Sequence, residues 1–134
     1  MDSLYTVLKH SYLISQNNYR SIMIIKIGAQ NYVVEERSKQ TDGMLNDGSY
    51  GYTLDNGNII VLDSDIATSK KQVTLLHEIL HAIRFNNDLL PKPRKKDDFD
   101  SWEHYFIGLY ENNLLGVLKD NPHILEWLIN DEEF

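Results

Sequence analysis

From Ile22 to Ile27 every position but Lys26 is apolar, and all but Met23 of the apolar ones are isoleucine. Tyr32 to Glu35 resumes the apolar pattern after a turn near Gly28 to Asn31, so "SIMIIKIGAQNYVVEERS" reads as a β-hairpin. "TDGMLNDGSYG" supplies three glycines and three Asp or Asn residues and is a loop. In "YTLDNGNIIVLDSD", Asp55-Asn56-Gly57-Asn58 is turn chemistry between Tyr52–Leu54 and Ile59–Leu62, a second hairpin. The pattern then changes period. In "KKQVTLLHEILHAIRF", Lys70 to Phe85, the residues Val73, Leu75, Leu76, Ile79, Leu80 and Ile83 cover about half of a helical wheel. Ser69 followed by Gln72 has the form of a capping box at its start. "NNDLLPKPRKKDDFD", with two prolines, is a long connection. Its basic cluster Lys92, Arg94, Lys95 and Lys96 meets Asp97, Asp98 and Asp100 at once, which suits a solvated loop with local charge pairing. A second helix starts near Asp98 or Asp100 and runs to about Leu118. "KDNP" interrupts it, and Asn121 caps a last short helix with Pro122 at its first position. At the N-terminus, "SLYTVLKHSYLIS" has the spacing of a short helix with Leu4, Leu8 and Tyr12 on one side. Strands first and helices after predict an α+β fold, a short antiparallel sheet followed by helices.

The length of 134 residues suits one domain, and 42% hydrophobic residues can bury a modest core. A formal net charge of -7 argues against sequence-independent nucleic-acid binding, which needs a basic face. The absence of cysteine excludes disulfides, thiolate catalysis and zinc fingers, and leaves His, Asp and Glu as the metal-binding side chains. No apolar run is long enough to span a bilayer, and the first residues lack a signal-peptide pattern. The expectation is a soluble cytoplasmic protein without membrane or nucleic-acid partners.

His77, Glu78 and His81 interrupt the first long helix where aliphatic side chains would pack better. His77 and His81 are one turn apart at the edge of the apolar arc, so both imidazoles can point at one spot beside the helix. That is the geometry of two nitrogen ligands on one Zn²⁺. Glu78 lies one step round, badly placed to ligate but well placed to reach a water there. His-Glu-x-x-His on a helix is a metallopeptidase signature. A catalytic zinc needs a third protein ligand and an open fourth position. On the second helix, Trp102, Tyr105, Phe106, Ile107, Leu109, Tyr110, Leu114 and Val117 form a wide apolar arc, and Glu103 falls inside it. A carboxylate buried without a partner costs several kcal/mol. Coordination would remove that cost, as would an ion pair with Lys or Arg. Glu103 is therefore the candidate third ligand, whereas His104 and Glu111 fall on the polar face. Asn113, in the same arc, suits either a role around the metal or a bond to backbone.

"VTLLHEILHAI" followed by "WEHYFIGLYENNLLGVLKDNP" resembles the small phage-encoded and mobile-element zinc-peptidase-like proteins related to the ImmA/IrrE metallopeptidases. The resemblance covers roughly residues 22 to 124 and includes the hairpin "MIIKIGAQNYVVEE". It implies a zincin-like domain over 22–134, with 1–21 as an N-terminal extension and Met23 at a start-like position. It further implies a Glu-zincin peptidase in which His77, His81 and Glu103 hold zinc and Glu78 is the general base. Ile59–Leu62 matches the edge strand that binds extended substrate. Tyr52 and Tyr110 are candidates for oxyanion stabilisation. The implied partner is a protein or peptide substrate, such as a phage or mobile-element regulatory protein. Two rivals remain: a zinc-stabilised regulatory domain that does not cleave, and an SprT-like nucleic-acid-associated protease, which the acidic balance disfavours.

Overall fold

The structure is a computed structural model and describes residues 22–45, 48–96 and 98–130. The expected helix with Leu4, Leu8 and Tyr12 lies outside the described residues. The strands are β1 (Ile22–Ile27), β2 (Gln30–Arg37), β3 (Gly51–Leu54) and β4 (Ile59–Asp63). The helices are α1 (Thr68–Asn86), α2 (Phe99–Asp120) and α3 (Pro122–Ile129). Strands precede helices, and the fold is α+β. Gly28, at φ 61°, supplies the left-handed residue of the first turn.

The sheet order is β1-β2-β4-β3. Both predicted hairpins are present, but β2 and β4 pair in parallel, so the sheet is mixed rather than antiparallel throughout. The reason lies in composition. "IIVLD" is the strand apolar on both faces, and Ile60, Val61 and Leu62 are fully buried. Such a strand belongs inside a sheet. β4 therefore inserts between β2 and β3, and the more polar "GYTL" is left at the edge. This corrects the expectation for Ile59–Leu62: the strand next to the signature helix in sequence has neighbours on both sides, and β3 is the edge.

The helices cover one face of the sheet. Met23, Ile25, Ile27, Tyr32, Val34, Ile60 and Leu62 meet Leu75, Ile79 and Ile83 of α1 and Leu109 and Val117 of α2. Each fully buried aliphatic side chain contributes roughly 1.5–3 kcal/mol. A buried ion pair, Lys71 Nζ to Glu36 Oε1 at 2.6 Å, ties the start of α1 to β2. On the opposite face, Tyr52 donates to Asp42 Oδ2 at 2.6 Å and accepts from Arg37 at 2.9 Å. This anchors the loop after β2 beneath the sheet. The Asp42 carboxyl is held below its ordinary pKa, first by the Tyr52 hydroxyl.

Three local expectations are revised. The buried arc of α1 is Lys71, Thr74, Leu75, Glu78, Ile79, Ala82 and Ile83, whereas Val73 is 71% exposed and Leu76 37%. The arc is thus rotated towards Glu78. Ser69 and Gln72 make no capping box, since the N-cap is Ala67. Gln72 instead donates to the backbone carbonyls of Trp127 and Asn130, pinning α1 to the end of α3. α2 starts as expected, with Asp98 accepting from the Ser101 backbone N–H. Asn121 precedes Pro122 at the N-cap of α3, but its side chain makes no cap bond. It reaches across to β1.

Candidate active site

α1 carries His77, Glu78 and His81 on the side that leans towards β3. Close approach of the two elements rests on Gly51. A Cβ there would lie 2.6 Å from the Val61 carbonyl oxygen and 2.8 Å from Thr74 Cγ2. With no side chain in the way, the next inward-facing residue of β3, Thr53, reaches α1. Its hydroxyl donates to Glu78 Oε1 at 2.7 Å. Glu78 is only 5% exposed, so this bond partners a carboxylate largely removed from water. Its second oxygen, Oε2, lies 3.9 Å from His77 Nε2.

The imidazoles of His77 and His81 are exposed, and their Nε2 atoms approach to 3.0 Å. The rings meet edge-on at 74°, and His81 stacks on Phe85 with centroids 6.0 Å apart. Two nitrogens about 2.0–2.1 Å from a tetrahedral ion lie roughly 3.3 Å apart. The 3.0 Å separation is a hydrogen bond between the two rings and is close to the spacing of two ligands on one ion, with one Glu78 oxygen close by but outside ligand distance.

Glu103 is placed differently from the expectation. It is exposed, near the start of α2, and its carboxylate does not join the His77 and His81 nitrogens within 4.8 Å. Among the described residues, the group with ligand atoms within that distance of one another is Asp100, Glu103 and His104, all exposed. The apolar arc of α2 is only partly covered. Leu109 and Val117 are buried, but Phe106 is 40% exposed and Ile107 54%. The arc thus marks a face without guaranteeing burial at its first turns, and no burial cost compels Glu103 to find a cation. His104 is on the polar face as expected. Its pKa is raised, first by the Asp100 backbone carbonyl, 2.9 Å from Nδ1. Asn113 donates to the Leu109 carbonyl at 2.6 Å, the backbone alternative. Tyr52 points to the sheet face away from Glu78 and cannot serve an oxyanion there. The Tyr110 hydroxyl is held above its ordinary pKa, chiefly by burial.

Thr53 is the site residue that sequence reading missed. Its signal is faint: a β-branched hydroxyl two residues after a glycine in the same strand.

The backbone of β3 adds a second feature. The Asp63 N–H bonds the Tyr50 carbonyl, and the register continues as Gly51 opposite Leu62, Tyr52 opposite Val61 and Thr53 opposite Ile60. Hydrogen-bonded and non-hydrogen-bonded pairs alternate in an antiparallel ladder. Gly51 and Thr53 therefore turn their N–H and C=O groups away from β4. No described residue pairs with them.

Comparison of the chain with family models, curated proteins and solved structures gives no match. Among the described residues, no helix is long and apolar enough to cross a membrane.

Proposed function

We propose that the protein is a zinc-dependent peptidase of the Glu-zincin type. The observation that carries this reading is the convergence of His77 Nε2 and His81 Nε2 at 3.0 Å beside a buried carboxylate whose free oxygen lies 3.9 Å from one of them. The imidazoles supply two ligands that fit the ion. The resemblance implies Glu103 as the third, whose carboxylate stands on the exposed first turns of α2 and does not join the two imidazoles within 4.8 Å.

Bound zinc would polarise the scissile carbonyl and lower the pKa of a water in the site. The remaining work falls to the chain. Glu78 takes a proton from the attacking water as its oxygen bonds to the carbonyl carbon. It returns that proton to the nitrogen as the C–N bond breaks. The outward N–H and C=O groups of Gly51 and Thr53 suit an extended peptide added as a further strand. The substrate class is thus a protein segment that can be drawn out straight. The rival reading, a zinc-stabilised domain without hydrolysis, has no use for a buried carboxylate aimed at the metal-binding nitrogens.

The test is cleavage of casein by the zinc-loaded protein, beside Glu78→Gln loaded to equal zinc content. The expected result is cleavage by the parent and a loss of about 10²–10⁴-fold in the variant, the usual range for a general base. Equal rates, or no cleavage by the zinc-loaded parent, would remove the peptidase reading.

A further inference from the structure

We infer that Thr53 is a positioning residue that ties the general base to the strand on which the substrate lies. The inference rests on the peptidase reading and goes beyond it by assigning a role outside the His-Glu-x-x-His segment. Glu78 has two oxygens and two tasks. One oxygen must exchange a proton, and the carboxylate must not rotate while it does so. The Thr53 hydroxyl engages Oε1 at 2.7 Å and lies 3.4 Å from the Glu78 backbone carbonyl. The bond to Oε1 holds the carboxylate in one rotamer. That leaves Oε2 on the side of His77, where water would be activated.

The same residue faces the open edge with its backbone. Thr53 lies opposite Ile60 in a non-hydrogen-bonded pair, so its N–H and C=O are directed to the strand that would bind alongside. A peptide paired there is in register with Thr53, and Thr53 is in register with Glu78. The base and the substrate backbone are thereby fixed relative to each other through one residue, with Gly51 permitting the approach. Side chain and backbone have separable duties. Removing the hydroxyl should affect the chemical step, and leaving the backbone intact should preserve binding.

Two variants test this. Thr53→Val keeps the shape and strand preference and removes the donor; Thr53→Ser keeps the donor. With zinc-loaded protein and casein as the probe, Thr53→Val should lower kcat by about tenfold, a part of the general-base contribution. KM should stay within about twofold, zinc content should be unchanged, and Thr53→Ser should recover most of the rate. A second readout needs no activity: in metal-free protein, NMR relaxation of the Glu78 side chain should report a loss of order in Thr53→Val and retention in Thr53→Ser. A parent that cleaves, with Thr53→Val cleaving at the same kcat, overturns the positioning role and leaves the peptidase reading standing. A Glu78 side chain equally ordered in Thr53→Val overturns it too, whatever the activity. A parent that does not cleave overturns the peptidase reading and the catalytic part of this inference with it.

Discussion

The two edges of the sheet are treated in opposite ways. At β1, the outward backbone groups are taken up by side chains from the corner between α2 and α3. Asn121 Oδ1 accepts from the Lys26 N–H at 2.8 Å, its Nδ2 donates to the Lys26 carbonyl at 2.7 Å, and the His123 Nε2–H donates to the Ile24 carbonyl at 3.0 Å. One amide thus imitates a neighbouring strand. At β3, Gly51 and Thr53 present the same kinds of group, and no described residue answers them. An unpaired edge is a liability that folded proteins usually cover. Here the covered edge is remote from the histidine pair, and the open one adjoins Glu78. An extended partner can be received at β3 and not at β1, in agreement with the proposed use of β3.

The largest effect on stability is expected at the closed edge. Asn121 is 1% exposed and also bonds the Val117 carbonyl, so Asn121→Ala leaves several backbone groups of β1 and α2 without their partner. A loss of about 2–4 kcal/mol is expected in chemical denaturation, with zinc affinity near the parent value once folded. A loss below about 0.5 kcal/mol would show that the edge is not held by this side chain.

Gly51→Ala probes the open edge. The added methyl meets the Val61 carbonyl oxygen and Thr74, so β3 must shift away from α1. A cost of about 1–3 kcal/mol is expected, together with reduced casein cleavage, because Thr53 would be drawn from Glu78. Unchanged stability and activity would mean that the approach at Gly51 is not what brings the strand to the helix.

The smallest effect is a pH dependence at the closed edge. Burial lowers the pKa of His123 from its ordinary value, against the opposing effect of the Ile24 carbonyl. A group whose folded pKa is depressed contributes its full stability above the unfolded value, about 6.5, and loses it as pH falls towards the folded one. Melting temperature should therefore decline on acidification below about pH 6.5. His123→Gln should flatten that limb, and parallel curves for the two proteins would rule out His123 as its source.

Much of this frame is legible in the residues. The two hairpins, the long helices and the break at Asn121–Pro122 follow from local period and turn chemistry. So does the convergence of His77 and His81, which needs only one helical turn. What is not legible depends on distant partners. Asn121 reads as a cap because its neighbour is proline, yet it serves Lys26, 95 residues away. Ile59–Leu62 reads as an edge by its position before the helix. Its apolarity on both faces instead draws it into the sheet interior. Glu103 reads as buried because a wheel identifies an apolar face, not how much of the face other elements cover. Glu78 reads as a titratable intruder on the helix, and its burial makes sense only with Thr53 in place.

In the proposed function, α1 offers a zinc site at the open edge of the sheet. Calorimetric titration of metal-free, untagged protein with zinc tests it most directly, with His77→Ala, Glu103→Ala and His104→Ala beside the parent. One zinc per chain is expected, with loss of binding in His77→Ala, a sharp weakening in Glu103→Ala and no change in His104→Ala. No stoichiometric binding would contradict it, as would binding that survives His77→Ala and disappears in His104→Ala, which would put the ion in the exposed Asp100, Glu103 and His104 group.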